Sequence, residues 1–213
     1  MPGPTATRTS PPKADRLGPY RAKRDFGVTP EPRGASAPAS PGRAGDGRFV
    51  VQLHRATSRH YDFRLEMGGV LVSWAVPRGP SLDPARRRLA VRVEDHPLDY
   101  FAFEGVIPRG GYGAGDVIIW DWGTYEADPE TPDPERAIAD GEFKFRLNGA
   151  KLRGGFVVVR TAGFGRRHDR REKWLLIHRR DAEAVDSAEW EAGSEPRSVK
   201  TGRTNDEVAA GRR

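Results

Sequence analysis

The chain has 213 residues, of which 36% are hydrophobic and 31% charged, enough for one domain of about 150 residues plus polar flanks. Twenty-five Gly and 18 Pro argue for turns and loops and against a helical bundle, and the absence of Cys excludes disulfides and thiolate metal sites. A net charge of +6 suits a polyanionic partner, while the lack of an apolar run of roughly 18 residues or of a secretory leader gives no membrane span or signal.

In chain order, residues 1–19 read as a disordered basic tail rich in Pro, Ser and Arg. Residues 20–47 read as an arm whose island, Tyr20 to Phe26, mixes aromatic and charged side chains suited to docking on a folded body. From residue 48 to 186 the texture is that of a β-domain. Phe49 to His54 is apolar and β-branched, and residues 59–66 alternate, with Tyr61, Phe63 and Leu65 on one face and His60, Asp62, Arg64 and Glu66 on the other. Met67-Gly68-Gly69 is a turn into Val70–Val76, and Leu89–Glu94 and Asp116–Trp122 are further strands. Asp133 as N-cap, Pro134 in the first turn and Gly141 at the end predict one short helix. Residues 142–147 alternate with Phe143, Phe145 and Leu147 inward, Asn148-Gly149 signals a hairpin, and Phe156–Arg160 and Lys173–His178 complete the strands. Residues 187–213 read as a polar C-terminal tail. The pattern predicts an all-β, closed or nearly closed barrel with one short helix and flexible tails.

Residues two apart on a strand share a face, so His60 and Asp62 project together, and His54 at the end of the preceding strand converges on them. Two imidazoles and a carboxylate suit Mn²⁺ or Zn²⁺ with positions left open; the same pattern also reads as an ordinary surface pair. Arg64 on that face is a bidentate phosphate clamp or a salt-bridge partner. His96, pinned by Pro97, is a general acid or phosphate ligand, with Tyr100 a second donor, or both are structural. The runs Arg86–Arg88 and Arg166–Arg171 suit backbone phosphates or solvent. The Gly-dense loop 108–115 lacks the Gly-Lys-Ser/Thr ending of a phosphate-binding loop and reads as a tight turn.

Four segments in order carry a resemblance: residues 54–66 (HRATSRHYDFRLE), 73–81 (SWAVPRGPS), 94–100 (EDHPLDY) and 111–117 (GYGAGDV). Together they resemble the 3′-phosphoesterase domain of bacterial DNA ligase D, over about residues 20–210. The resemblance implies a compact β-barrel that removes ribonucleotides and phosphates from the 3′ end of a primer strand, with manganese the favoured metal. It implies that His54, His60 and Asp62 hold the metal, and that Arg64, Arg88 and His96 contact the phosphate or support the chemistry, with Tyr100 beside them. Arg24, Asp25 and Glu31 match the arm residues that serve the ribonuclease step. Arg78 stands where the family often has Lys, keeping the charge for phosphate binding but not the compact donor. The family's ligase and polymerase modules are not in the sequence. The partners it implies are DNA or RNA–DNA 3′ ends, a separate DNA ligase and end-joining proteins, with a monomer in the cytoplasm, at the nucleoid. Two other readings remain at this point: a non-catalytic nucleic-acid-binding barrel that recruits repair enzymes, and a metallophosphatase of small metabolites.

Overall fold

In a computed structural model, residues 15–34, 46–161, 171–185 and 190–211 are described. Nine strands form: β1 (Gly47–Arg55), β2 (Arg59–Met67), β3 (Val70–Val76), β4 (Arg88–Arg92), β5 (Gly105–Ile107), β6 (Gly115–Ala127), β7 (Glu142–Gly149), β8 (Arg153–Arg160) and β9 (Lys173–His178). All but β5 close into an antiparallel ring, in the order β1-β2-β3-β4-β9-β8-β7-β6 and back to β1; β5 lies on the free edge of β6. Closure removes the unpaired edges that an open sheet would present.

The alternation read from the sequence sets the interior. Tyr61, Phe63 and Leu65 from β2 meet Phe143, Phe145 and Leu147 from β7, all buried, with Trp74, Trp120 and Trp174 filling the ring. Phe63 and Phe145 stack with centroids 6.0 Å apart. The opposite face of β2 is buried as well, which simple alternation did not predict. An outer layer covers it: Tyr20, Leu71, Leu98 and Tyr100 form a second apolar cluster, with Phe26, Phe101 and Phe103 packed against it. The site lies between barrel wall and outer layer.

β1 and β6 slip by one residue between Val51 and Gln52, leaving Trp120 as the extra residue of a bulge. Such a bulge bends the strand and increases its twist. It falls just before Gln52 and His54, the two residues of β1 that reach the site.

Helix α1 (Gly18–Ala22) and helix α3 (Asn205–Ala209) accompany the expected helix α2 (Pro134–Asp140). Asp133 caps α2 by accepting from Arg136 N at 3.1 Å, and Gly141 ends it with φ of 102°. The sequence reading of a single helix is corrected to three α-helices among the described residues. The other two are five residues long, too short to show a helical period, and are held by tertiary contacts rather than propensity. Tyr20 anchors α1, fully buried with its hydroxyl donating to the Pro32 carbonyl at 2.7 Å. Thr204 and Glu207 form a capping box on α3, and Asn205 Nδ2 donates to the carbonyls of Leu53 and Asp116. Residues 190–211, polar in sequence, thereby pack back on the barrel, with Ala192 and Val208 in its core.

The hairpin signal at Asn148-Gly149 is right in kind but displaced. Asn148 pairs with Arg153, so the turn is centred on Ala150 and Lys151. The buried carboxylate of Asp121 governs it, accepting from the backbone N–H groups of Ala150, Lys151 and Leu152 at 2.9, 3.1 and 2.8 Å. Gly149 is needed because a Cβ there would lie 2.5 Å from both Asp121 Oδ2 and the Phe49 ring. Asp121→Ala removes the acceptor of three backbone donors, that of Leu152 buried, and is expected to lower stability by about 1–3 kcal/mol, or roughly 2–12 °C in Tm. Thermal unfolding followed by circular dichroism checks this; an unchanged Tm would refute it.

Candidate metal centre and phosphate pocket

His54 and His60 are direct cross-strand partners on β1 and β2, and Asp62 stands two residues along β2 on the same outer face. Each of the three offers one ligand atom, and those atoms lie within 4.8 Å of one another. His54 Nδ1 and His60 Nε2 are each 3.6 Å from an oxygen of Asp62. The remaining ring nitrogens are committed elsewhere. His54 Nε2 lies 2.8 Å from the Gly113 carbonyl, and His60 Nδ1 lies 2.8 Å from the Ser58 carbonyl. A carbonyl only accepts, so each of those nitrogens carries a proton, and His54 Nδ1 and His60 Nε2 are the ring positions turned toward Asp62 that a metal would take. This is the arrangement that metal-binding imidazoles require, with a backbone acceptor fixing the tautomer. The donor set therefore fits a divalent transition metal.

Arg64 underlies this cluster. Its side chain is 2% exposed, and each of its three nitrogens has a partner. Nε donates to Gln52 Oε1 at 2.8 Å, Nη1 to Ser73 Oγ at 2.9 Å, and Nη2 approaches Asp62 Oδ2 at 3.1 Å. Its guanidinium also lies 5.0 Å from the centroid of the Tyr100 ring. Burial alone would raise the Asp62 pKa, but the charge of Arg64, with His54 and His60, holds the carboxyl well below the usual range. The Asp62 carboxylate is thus ionised at any ordinary pH.

His96 is buried beside Arg64, at the residue that bridges to Leu71 of β3. Burial first, then the charges of Arg64 and Arg24, lowers its pKa well below the ordinary histidine value, so the ring is neutral. Nδ1 lies 2.8 Å from Arg64 Nη1, a donor, and 2.9 Å from the Glu94 carbonyl, an acceptor; it can serve only one of them at a time. Tyr100 packs edge-on to the His96 ring with centroids 4.9 Å apart, and burial raises its phenol pKa well above 10.

One cavity of about 150 Å³ joins His54, His60, Asp62, Arg64, His96, Tyr100 and Arg24. Arg24 comes from the N-terminal arm and is fixed by Glu31 Oε1 at 2.8 Å and Glu94 Oε1 at 3.3 Å. Glu31 and Asp25 do not line this cavity; they line an adjoining hollow of about 340 Å³ that shares Arg24, Ile107 and Tyr112 with it. Asp25 also closes a local turn, accepting from Gly27 N at 2.9 Å.

Arg88 and Arg78 are not brought to the metal cluster. Arg88 has the strand parity of core residue Ala90, opposite to the face that carries His60 and Asp62, and its Nη2 pairs with Glu191 at 2.7 Å. Arg78 lines a separate basic hollow with Arg86, Arg87 and Arg88. Residues 166–170 of the second basic run lie outside the described residues.

Sequence reasoning missed four contributors. Gln52 is a fully buried amide in an apolar strand, and its Nε2 ties the site to the carbonyls of Tyr100 and Phe103. Its place two residues before His54 was the available signal. Ser73, Glu94 and the Gly113 carbonyl complete the support, and no spacing rule points to them.

The structure thus defines an eight-stranded antiparallel barrel that carries a two-histidine, one-carboxylate cluster beside a buried arginine. Residues 52–160 match the family model of the DNA Ligase D 3′-phosphoesterase domain, and the chain belongs to that family. It is 49% identical over 177 residues to the multifunctional non-homologous end joining protein LigD of Pseudomonas aeruginosa, covering 81% of this chain and 20% of that protein. It is 48% identical over 165 residues to the multifunctional non-homologous end joining DNA repair protein LigD of Mycobacterium tuberculosis, covering 77% and 20%. The chain spans about a fifth of the length of these curated relatives.

Proposed function

We propose that the chain is a manganese-dependent 3′-end-processing phosphoesterase, acting as 3′-ribonuclease and 3′-phosphatase on primer–template DNA ends during end joining. The observation that carries this reading is the convergence, in one cavity, of three preoriented ligand atoms, a buried arginine and a neutral histidine. His54, His60 and Asp62 would hold the cation. When bound, it supplies Lewis-acid polarisation of the phosphate and a more acidic water.

The remaining roles fall to this chain's own groups. Arg64, already rigid, offsets charge that builds on the phosphoryl oxygens without reorganising. A neutral His96 supports the stabilising role over that of an imidazolium acid: it offers one N–H to a phosphoryl oxygen. Tyr100, kept protonated by burial, adds a phenolic donor. Arg24 reaches the same cavity from the arm, and Asp25 and Glu31 in the adjoining hollow serve the ribonucleotide step. Arg78 and Arg88 take a phosphate of the polynucleotide backbone away from the reacting one. The natural partners are nucleic-acid 3′ ends, a DNA ligase and other end-joining proteins, met by a monomer in the cytoplasm, at the nucleoid. Among the described residues no helix is long and apolar enough to cross a membrane.

The test is a labelled primer–template ending in a 3′-phosphate, with a twin ending in one ribonucleotide, incubated with Mn²⁺ with and without EDTA. Conversion of both to a 3′-hydroxyl, stopped by EDTA, is the expected result. Binding without conversion, indifferent to EDTA, would overturn it in favour of a recruiting module.

A further inference from the structure

The Gly-dense loop that the sequence marks only as a tight turn does two things at the site. Its Gly113 carbonyl fixes the His54 tautomer, and its Tyr112 side chain stands on the border between the metal cavity and the adjoining hollow, lining both. Tyr112 is 49% exposed, the one aromatic among the exposed large hydrophobic side chains of the described residues. The ring is held in place all the same. Lys23 Nζ lies 4.6 Å from its centroid and donates to its hydroxyl at 3.2 Å, and the Arg24 guanidinium lies 5.5 Å from the centroid. The loop backbone is equally constrained. Gly110 and Gly113 have φ of 88° and 73°, and a Cβ on Gly115, whose φ is 146°, would lie 2.3 Å from the Arg55 carbonyl oxygen.

A half-exposed aromatic ring flanked by cations, beside a cavity built for an anion, is the arrangement that takes a nucleobase: its π-face stacks while the backbone is neutralised. The adjoining hollow, about 340 Å³, has the size of a small-ligand site. It offers apolar surface from Val28, Ile107 and Pro108 and polar groups from Thr29 and Arg109. We infer that this hollow is a nucleoside subsite, in which the base of the 3′-terminal nucleotide stacks on Tyr112 while its phosphate lies in the metal cavity. The inference rests on the proposed 3′-phosphoesterase reading and deepens it. Stacking of this kind is indifferent to base identity, because every base has a π-face. The subsite therefore selects nucleic-acid ends over small phosphate esters without imposing a sequence.

The experiment uses an oligonucleotide primer–template with 2-aminopurine as its 3′-terminal, 3′-phosphorylated residue, titrated with the whole chain and followed both by fluorescence and by turnover. Wild-type protein is expected to quench the fluorophore, Tyr112→Phe to keep the quench, and Tyr112→Ala to lose it. On the turnover arm, Tyr112→Ala is expected to raise KM roughly 5- to 100-fold, with kcat changed far less. With a terminal abasic 3′-phosphate, wild type and Tyr112→Ala should differ little, because the ring has nothing to stack on. Turnover by wild type with no ring-dependent quench, or an equal Tyr112→Ala effect on the abasic end, overturns the subsite and leaves the enzyme reading intact. Ring-dependent quench without turnover does the reverse. Absence of binding by wild type overturns both.

Discussion

Asp62→Ala is expected to reduce 3′-phosphate and 3′-ribonucleotide removal by roughly a thousandfold or more, with the fold retained. The size follows from the cation's contribution of several kcal/mol to transition-state stabilisation, which is forfeited with its carboxylate ligand. The barrel core is untouched, because Asp62 faces away from Tyr61 and Phe63, but buried Arg64 loses its carboxylate partner, so the fold is retained with lowered stability. His60→Ala should behave alike, since His60 Nε2 is the one ring nitrogen of that side chain not engaged with Ser58. Single-turnover rates with saturating Mn²⁺, alongside circular dichroism, check both. Activity within tenfold of wild type in a folded Asp62→Ala protein would sink the ligand assignment (tenfold being about 1.4 kcal/mol).

Arg64→Ala should be nearly as damaging, for a different reason, and it should also destabilise. The guanidinium contacts buried Asp62 directly, cannot lose its charge, and also bonds Gln52 and Ser73. Truncation leaves an ionised carboxylate without its main partner, which in buried settings lowers stability by about 3–5 kcal/mol. Loss of a preorganised donor at the phosphate lowers kcat by about 10²- to 10³-fold. Arg64→Lys restores the charge but not the planar fork, so it should recover little of either. A further readout separates electrostatics from packing. Arg64 is, after burial, the largest influence lowering the His96 pKa. In Arg64→Ala the His96 pKa should therefore rise toward the ordinary value, which an NMR titration of the imidazole carbons would report. Unchanged kcat and an unmoved His96 would refute the account of Arg64.

The barrel and the metal cluster were legible in the sequence because both obey the period of two. Tyr61, Phe63 and Leu65 point one way and His60, Asp62 and Arg64 the other whatever the rest of the chain does. His54 was legible because a short β1–β2 connection brings it opposite His60. What was not legible depends on contacts distant in sequence. The single-turn helices α1 and α3 exist because Tyr20 and Asn205 dock on the barrel, and no local pattern announces them. The hairpin after β7 is centred two residues late because Asp121, from another strand, captures its backbone donors. How far Arg78 and Arg88 stand from the cluster was not legible for a related reason. Their charge and order along the chain match the family, but strand parity and the ion pair with Glu191 place Arg88 apart from the metal cluster. The tautomers of His54 and His60 are set by the carbonyls of Gly113 and Ser58, which have no signature in residue type.

The central claim is that His54, His60 and Asp62 together hold one catalytic divalent cation. The most direct measurement is a Mn²⁺ titration of the whole chain, read by electron paramagnetic resonance of the free aquo ion, for wild type and Asp62→Ala in parallel. The account predicts that wild type withdraws one equivalent of Mn²⁺ from the free signal and that Asp62→Ala withdraws none over the same range. Equal depletion by both proteins, or none by wild type, would contradict it.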